Sequence, residues 1–255
     1  MAARSCIRPA LLTLAGLWLI LTGTPLLAAT TTIAVAANFT DATGDLIALF
    51  ERQTQHRVKA SFGSTGKLYA QIAHGAPFDV FLAADRARPQ KAEVDGLAVQ
   101  GSRFTYAQGQ LVLWSPHAET FDDGEAFLKA MAYRRIAMAN PRTAPYGQAA
   151  QEVMQHLGVW PQVQGKLVRG DSIAQAFQFV ATANTDAGFV AASQIRAWSQ
   201  PGSLWQVPAA YYTPIAQQAV LLQHGADNPA ARAFLSFLRS PEARGIIASH
   251  GYRLE

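Results

Sequence analysis

Two uncharged polar turns, each placed between a strand-like and a helix-like stretch, constrain the fold of this chain more than any other feature. The turn Ala36–Phe39 follows the run 32–35, and the turn Gly63–Gly66 follows the run 58–62. Short runs rich in β-branched and apolar residues are typical of strands. After each turn, apolar residues recur every three or four positions, which is the period of an amphipathic helix. Repeated strand–turn–helix units predict an α/β fold with parallel strands.

The position of these turns at predicted helix starts favours an anion as ligand. The first N–H groups of a helix have no partner within the helix, and the helix dipole adds about half a positive charge there. Parallel strands bring their carboxyl ends to one edge of a sheet, so both turns are expected at one cleft. Asn38, Ser64 and Thr65 would add side-chain donors. Their commoner use is to cap helices, and that alternative stays open at this point.

Composition and the N-terminal segment indicate an exported globular protein. Of the 255 residues, 50% are hydrophobic and 15% are charged, which allows a large core in one large domain or two smaller ones. The segment 1–29 has two arginines, an apolar run and then Ala28 and Ala29, which is the layout of a secretory signal peptide. We predict cleavage near Ala28 or Ala29 and a periplasmic mature protein. Cleavage there would also remove Cys6, the only cysteine.

The charge pattern argues against a polyanionic partner. Without the predicted signal peptide, 19 basic and 17 acidic residues remain, a net charge of +2, and the basic residues are scattered. We therefore expect no nucleic-acid partner. The six histidines never stand four residues apart and have no neighbouring carboxylate motif, so we also expect no direct metal ligands.

The rest of the chain predicts a second lobe built like the first. A strand at Leu111–Trp114 is the candidate crossover, and further strand–turn–helix units follow. A strand at 214–222 is expected to return to the first lobe, ahead of two C-terminal helices. We predict a signal peptide at 1–29, a first lobe formed by 30–110 plus 216–255, and a second lobe formed by 111–215.

Two motifs suggest other functions but lack the required context. Gly63–Leu68 is similar to a phosphate-binding P-loop, but its spacer is too short and Leu68 replaces the metal-binding Ser or Thr. Gly170–Ile173 is similar to the nucleophile block of GDS-type serine hydrolases, with Ser172 as the nucleophile. The expected Asp-x-x-His partner is missing, because Ile247 stands three residues before His250. A helix cap is the favoured use of Ser172.

The order and spacing of several motifs resemble the periplasmic molybdate-binding proteins of ABC importers over nearly the whole mature chain. The motifs are Ala36–Phe39, Gly63–Ile72, Gly75–Phe81, Ala84–Asp85, Asn140–Pro141, Ala144–Gly147, Gly188–Ala191, the helix at Pro241, and Gly251–Tyr252. Each motif alone is weak. Their combination identifies the chain as a member of this family.

The resemblance implies a two-lobed, type II periplasmic-binding-protein fold of the α/β class, each lobe having a mixed, mostly parallel sheet flanked by helices. It implies high-affinity binding of molybdate, and of tungstate, for delivery to an ABC-type membrane permease. It implies a monomer with no enzymatic activity and no cofactor. The alternatives are a secreted GDS-type serine hydrolase and a binding protein for another ligand, such as sulfate or ferric ion.

The resemblance also implies a set of ligand-binding residues. Asn38 and Thr65 would bind through their side chains in the first lobe, while Ala37 and Ser64 would add backbone or nearby polar contacts. In the second lobe, the Tyr146 side chain and the backbone N–H of Ile173 match the family's donor positions.

The chain departs from the family at three of its positions. Many members have Tyr in place of Ala191, whereas this chain resembles a branch that draws its tyrosine hydroxyl from Tyr146. Many members have Ser in place of Asn38, and related members with Asn often carry Thr in place of Ala37, which here has no hydroxyl.

A pocket that offers only donors is expected to select a fully deprotonated dianion. Hydrogen phosphate carries an O–H group that would need an acceptor, and a buried unpaired group costs about 1 to 3 kcal/mol. We therefore expect poor phosphate binding. Rejection of sulfate would depend on pocket size, since sulfate has the charge and shape of molybdate but shorter bonds.

Overall fold

The architecture comes from a computed structural model that describes residues 28–198 and 200–254. Residues 1–27 of the predicted signal peptide lie outside the described residues. Within the described part of the chain, no helix is long and apolar enough to span a membrane.

Five strands form the first sheet, in the order β2-β1-β3-β10-β4. Their bounds are β1 Thr30–Ala36, β2 Arg57–Gly63, β3 Val80–Ala83, β4 Phe104–Gly109 and β10 Ile215–Leu221. β1 runs parallel to β2 and to β3, whereas β10 is antiparallel to both β3 and β4. Four strands therefore share one direction, and β10 alone among them is reversed.

Five more strands form the second sheet, in the order β7-β6-β8-β5-β9. Their bounds are β5 Leu111–Ser115, β6 Ile136–Ala139, β7 Leu167–Gly170, β8 Ala187–Ala191 and β9 Ser203–Gln206. β6 runs parallel to β7 and β8, and β5 is antiparallel to β8 and β9. The second sheet thus repeats the strand order of the first, again with one reversed strand. Both sheets are mixed and mostly parallel, which confirms the predicted fold class.

Helices flank both sheets. Those of the first sheet are α1 Thr40–Thr54, α2 Thr65–Ala73, α3 Ala87–Val94, α9 Pro229–Phe237 and α10 Pro241–Ser249. Those of the second sheet are α4 Gly124–Ala130, α5 Pro145–His156, α6 Trp160–Val163, α7 Ile173–Ala181 and α8 Ala192–Arg196. We call the first sheet with its helices lobe 1, and the second sheet with its helices lobe 2.

Each lobe encloses apolar side chains between its sheet and its helices. In lobe 1, Phe39, Leu46 and Phe50 on one side of α1 and its preceding turn are fully buried against the sheet. In lobe 2, Val153 and Met154 of α5 are buried in the same way. The removal of this apolar area from water is the main favourable contribution to folding.

The chain passes between the two sheets twice. It leaves β4 and enters β5 through the single residue Gln110, and it returns from β9 to β10 through residues 207–214. The reversed strand of each sheet, β5 or β10, directly follows one of these passages. The bounds of the two lobes given above from the sequence remain a prediction.

Candidate anion-binding site

Four helix starts, two from each lobe, meet at a small cavity. A 3₁₀ turn, Ala37–Phe39, leads into α1, and the other three starts are those of α2, α5 and α7. The lining residues are Ala36, Ala37, Asn38, Gly63, Ser64, Thr65, Ala84, Ala144, Pro145, Tyr146 and Ile173. None of them is charged, and all six residues predicted from the sequence are among them. The cavity therefore combines helix-start N–H groups with neutral side chains.

Ser64 stands at the N-cap position of α2 but does not cap it. Its side chain accepts no hydrogen bond from the helix, and its buried Oγ has no partner among the described residues. The capping use that the sequence left open is therefore not what the structure shows at Ser64. A buried hydroxyl without a partner costs about 1 to 3 kcal/mol, so this group is free to bind a ligand at the cavity.

Thr65, the first residue of α2, has a hydroxyl whose oxygen already accepts a hydrogen bond. The backbone N–H of Ala84 donates to Thr65 Oγ1 at 3.0 Å. The Thr65 proton has no acceptor in the described part of the chain. Since the side chain is almost fully buried at the cavity wall, this O–H is available as a donor.

The side-chain amide of Asn38 is hydrogen-bonded to other protein groups. Asn38 Nδ2 donates to Gln217 Oε1 at 2.9 Å and to the Tyr252 hydroxyl at 3.1 Å. Tyr252 in turn donates to the backbone carbonyl of Asn38 at 2.6 Å. In this structure both N–H groups of the Asn38 amide have protein partners. Its direct side-chain bond to an anion remains a prediction, as does a bond from its backbone N–H.

Tyr146 brings a hydroxyl to the cavity from the first turn of α5. The hydroxyl accepts a long hydrogen bond of 3.5 Å from Gln217 Nε2 and has no acceptor for its own proton among the described residues. Burial, followed by the nearby Tyr252 and Tyr106, holds the pKa of Tyr146 well above its usual value. The phenol is therefore neutral at physiological pH and can donate to an anion.

The approach of α5 to its sheet explains how Tyr146 reaches the cavity. A Cβ on Gly147 would lie 2.3 Å from the carbonyl oxygen of Ala139, the last residue of β6. Only glycine allows the first turn of α5 to pack this closely on β6. Gly147 thus determines how deeply the Tyr146 hydroxyl lies in the cavity.

Ala37 and Ile173 complete the predicted set and contribute no polar side chain. Both are buried at the cavity wall, Ala37 in the 3₁₀ turn and Ile173 as the first residue of α7. Any contact with an anion must come from their backbone N–H groups. Ser172 is the N-cap of α7, where its Oγ accepts from the backbone N–H of Gln175 at 3.3 Å.

Contacts across the cleft show the two lobes closed on each other. Gly66 N, in the first turn of α2, donates to the Thr143 carbonyl of lobe 2 at 2.8 Å. Lys67 Nζ lies 2.7 Å from Asp171 Oδ2 in an exposed ion pair, which contributes about 0 to 1 kcal/mol. Within residues 28–198 and 200–254, no group of three or more His, Cys, Asp or Glu side chains is placed to hold a metal ion.

Sequence reasoning missed three residues that support the site: Gln217 on β10, Tyr106 on β4 and Tyr252 near the C-terminus. Gln217 accepts from both Asn38 and Tyr106, and Tyr252 contacts Asn38. A local signal did exist for Gln217, since a glutamine pair interrupts the otherwise apolar strand Ile215–Leu221. A polar residue at a buried strand position needs partners, and here they surround the anion site.

The chain belongs to the family of bacterial extracellular solute-binding proteins, whose family model matches residues 31–253. It is 51% identical over 230 residues to the molybdate-binding protein ModA of Azotobacter vinelandii, covering 89% of this chain and 91% of that protein. It is 52% identical over 222 residues to the molybdate-binding protein ModA of Rhodobacter capsulatus, covering 87% of each.

A solved structure supports the same relationship at the level of the fold. The structure of the periplasmic molybdate-binding protein of Azotobacter vinelandii matches with a TM-score of 0.85 and 42% sequence identity, covering 88% of this chain and 99% of that one. These findings confirm the resemblance drawn from the sequence motifs. They also confirm the prediction of a binding protein rather than an enzyme.

Proposed function

We propose that this protein binds molybdate in the periplasm and delivers it to an ABC-type membrane permease. The observation that carries the proposal is that all six predicted ligand-binding residues line one uncharged cavity at four helix starts. Two relatives with about half of their residues identical are named molybdate-binding proteins. The solved relative is described as periplasmic, which supports the proposed location.

The donor arrangement favours a fully deprotonated dianion. The hydroxyl oxygens of Thr65 and Tyr146 each accept a hydrogen bond from the protein, and neither hydroxyl proton has an acceptor among the described residues. Ser64 Oγ has no protein partner in the described structure. Oxygen atoms of an anion supply the acceptors that these groups lack, and the helix dipoles favour its charge. Hydrogen phosphate would add a further proton that needs an acceptor, so we expect its rejection.

Tungstate is part of the proposal because it is nearly isosteric with molybdate and carries the same charge. We also propose that the protein acts as a monomer, without a cofactor, after removal of a signal peptide near Ala28 or Ala29. Sulfate has shorter bonds than molybdate, so its oxygens would span less of the cavity. A site fitted to the larger anion would leave some of its donors unpaired with sulfate.

The alternative functions receive less support from the structure. A serine hydrolase would need a base beside Ser172, but the Ser172 hydroxyl caps α7, and no histidine within residues 28–198 and 200–254 bonds to it. A ferric-ion site would need several anionic or imidazole ligands, whereas the cavity lining has no carboxylate or imidazole and a single phenol, that of Tyr146. Binding of an oxyanion by neutral donors remains the function that the geometry supports best.

The test is isothermal titration calorimetry of the exported protein with molybdate, tungstate, sulfate and phosphate. We expect tight one-to-one binding of the first two anions and none of phosphate. Tyr146→Phe should weaken molybdate binding about tenfold, the effect of losing one hydrogen bond of about 1.4 kcal/mol. Tyr133→Phe is the matched control, since this buried lobe 2 hydroxyl donates to the Leu128 carbonyl outside the cavity. Absence of heat with molybdate and tungstate would contradict the proposal.

A further inference from the structure

Gln217 is a fully buried amide in the middle of β10, between the ligand-binding residues of the two lobes. The pairing of β10 with β4 shifts register at this point, because Gln217 pairs with Ala107 and Gln218 with Thr105. The extra β4 residue is Tyr106, whose hydroxyl donates to Gln217 Oε1 at 3.0 Å. Irregularities of this kind often re-aim side chains near functional sites.

In the series of hydrogen bonds from Tyr252 to Gln217, the donor and the acceptor of each bond can be assigned, starting at Tyr252. The single proton of Tyr252 has two acceptors within reach, the Asn38 carbonyl at 2.6 Å and Ser193 Oγ at 3.0 Å. With either acceptor, the Tyr252 oxygen accepts from Asn38 Nδ2 at 3.1 Å. The amide nitrogen of Asn38, rather than its oxygen, therefore faces Tyr252 and Gln217. The second N–H of Asn38 then donates to Gln217 Oε1 at 2.9 Å.

Gln217 accepts hydrogen bonds through its side-chain oxygen and donates one through its nitrogen. Its Oε1 accepts from both Asn38 and Tyr106, which leaves Nε2 facing the Tyr146 hydroxyl at 3.5 Å. An amide nitrogen can only donate, so the Tyr146 oxygen accepts and the Tyr146 proton stays free. The chain of bonds therefore runs from Tyr252 through Asn38 and Gln217 to Tyr146.

We propose that Gln217 is a positioning residue for anion binding, which makes Tyr146 present its O–H rather than a lone pair to the ligand. This inference rests on the proposed function and adds to it the residue that sets the donor character of the site. Gln217 lies in lobe 1 and Tyr146 in lobe 2, so the bond between them forms when the lobes close. A residue outside the cavity wall thus orients one of the donors for the anion when the lobes close.

A double-mutant cycle of Gln217→Met and Tyr146→Phe tests the proposal by calorimetry with molybdate. Methionine has a similar length but neither donates nor accepts strongly, so Gln217→Met should weaken binding about tenfold. In the Tyr146→Phe background, the same change should cost less than about threefold, because the group through which Gln217 acts has gone. Additive losses in the double variant would overturn the proposal.

The neighbouring glutamine provides the matched control. Gln218 is also buried on β10, but it contacts Arg103 and Thr105 rather than the site. Gln218→Met should leave molybdate affinity within about twofold of the wild type, even where thermal unfolding shows a similar loss of stability. Equal losses of affinity in the two variants would mean that Gln217 acts only through general stability, which contradicts a positioning role.

A measurement without ligand separates this proposal from the proposed function. If the wild type binds neither molybdate nor tungstate, the proposed function fails, but the bond between Asn38 and Gln217 lies within lobe 1 and can still be read. The side-chain amide ¹H–¹⁵N resonances of Asn38 should shift in Gln217→Met and stay in place in Gln218→Met. Unchanged Asn38 resonances in both variants would overturn the directional chain.

Discussion

The two lobes share one sheet topology but support the anion site in different ways. In lobe 1, the site residue Asn38 rests on buried hydrogen bonds with Gln217 and Tyr252. In lobe 2, Tyr146 and Ile173 lie on α5 and α7 in an apolar cluster, and the Tyr146 hydroxyl accepts a hydrogen bond from Gln217 of lobe 1. Two lobes with the same sheet topology can therefore hold their anion-site residues in place by different interactions. Lobe 1 orients polar groups by hydrogen bonds, whereas lobe 2 places them by close packing of backbone.

The largest expected effect tests the packing in lobe 2. Gly147→Ala would place a Cβ 2.3 Å from the Ala139 carbonyl oxygen, so α5 must move away from β6. We expect a loss of about 2 to 3 kcal/mol in the free energy of unfolding, together with a large loss of molybdate affinity. Chemical denaturation and calorimetry measure the two effects. Gly44→Ala, in α1 with open space around it, should be neutral or slightly stabilising.

A second change tests the contact between the lobes rather than the packing within one. A Cβ on Gly66 would lie 3.0 Å from the Cα and the carbonyl oxygen of Thr143. Gly66→Ala should therefore hinder closure and lower molybdate affinity about tenfold, while the stability of the ligand-free protein is unchanged or slightly higher. Small-angle scattering with and without molybdate would show the reduced closure. An unchanged affinity would mean that this close approach is not needed for binding.

The hydroxyl of Ser64 offers a third test, in which stability and affinity should move in opposite directions. In the closed structure, Ser64→Ala removes a buried hydroxyl without a partner among the described residues, so the closed ligand-free form should gain up to about 1 kcal/mol while molybdate affinity falls about tenfold. Thermal unfolding and calorimetry measure both quantities. Thr185→Ala is the control, since Thr185 Oγ1 is also buried without a partner but lies outside the cavity lining. It should gain stability without losing affinity.

The smallest expected effect concerns pH. Burial raises the pKa of Tyr146 well above its usual value of about 10, and it also raises the pKa of Tyr252. Because the folded state holds these protons more tightly than the unfolded chain, their contribution to stability is complete below pH 10 and is lost as pH rises through the folded values. Molybdate affinity should stay flat between about pH 7.5 and 9.5. A decline within that range would show that a buried tyrosine ionises early.

Much of the fold could be predicted because its buried strands are short apolar runs. The strands at 136–139 and 80–83 stand out in the sequence, and Asn228 and Ser240, each followed by proline, cap the two C-terminal helices α9 and α10. β4 was not predicted, because its sequence FTYAQG carries no clear alternation. The apolar period after the second turn predicts Leu68, Ile72 and Ala73 on one face of α2, and it is wrong at one position, since Ala73 is exposed.

The site could be predicted in part for a related reason. Its residues occupy short turns next to strong strand signals, so local patterns locate them. The support for Asn38 is different, since Gln217 and Tyr252 are 179 and 214 residues away along the chain. No local pattern can pair residues at that distance, and the direction of their hydrogen bonds depends on three-dimensional placement alone.

The unpaired Ser64 hydroxyl has a consequence for the fidelity of import. Closure without cargo buries this group with nothing to bind, at a cost of about 1 to 3 kcal/mol, whereas closure on an oxyanion removes that cost. The penalty makes the empty closed form roughly 5- to 150-fold rarer than it would otherwise be. A transporter that recognises closed lobes would then meet few empty carriers, and fewer of its ATP-driven cycles would run without cargo.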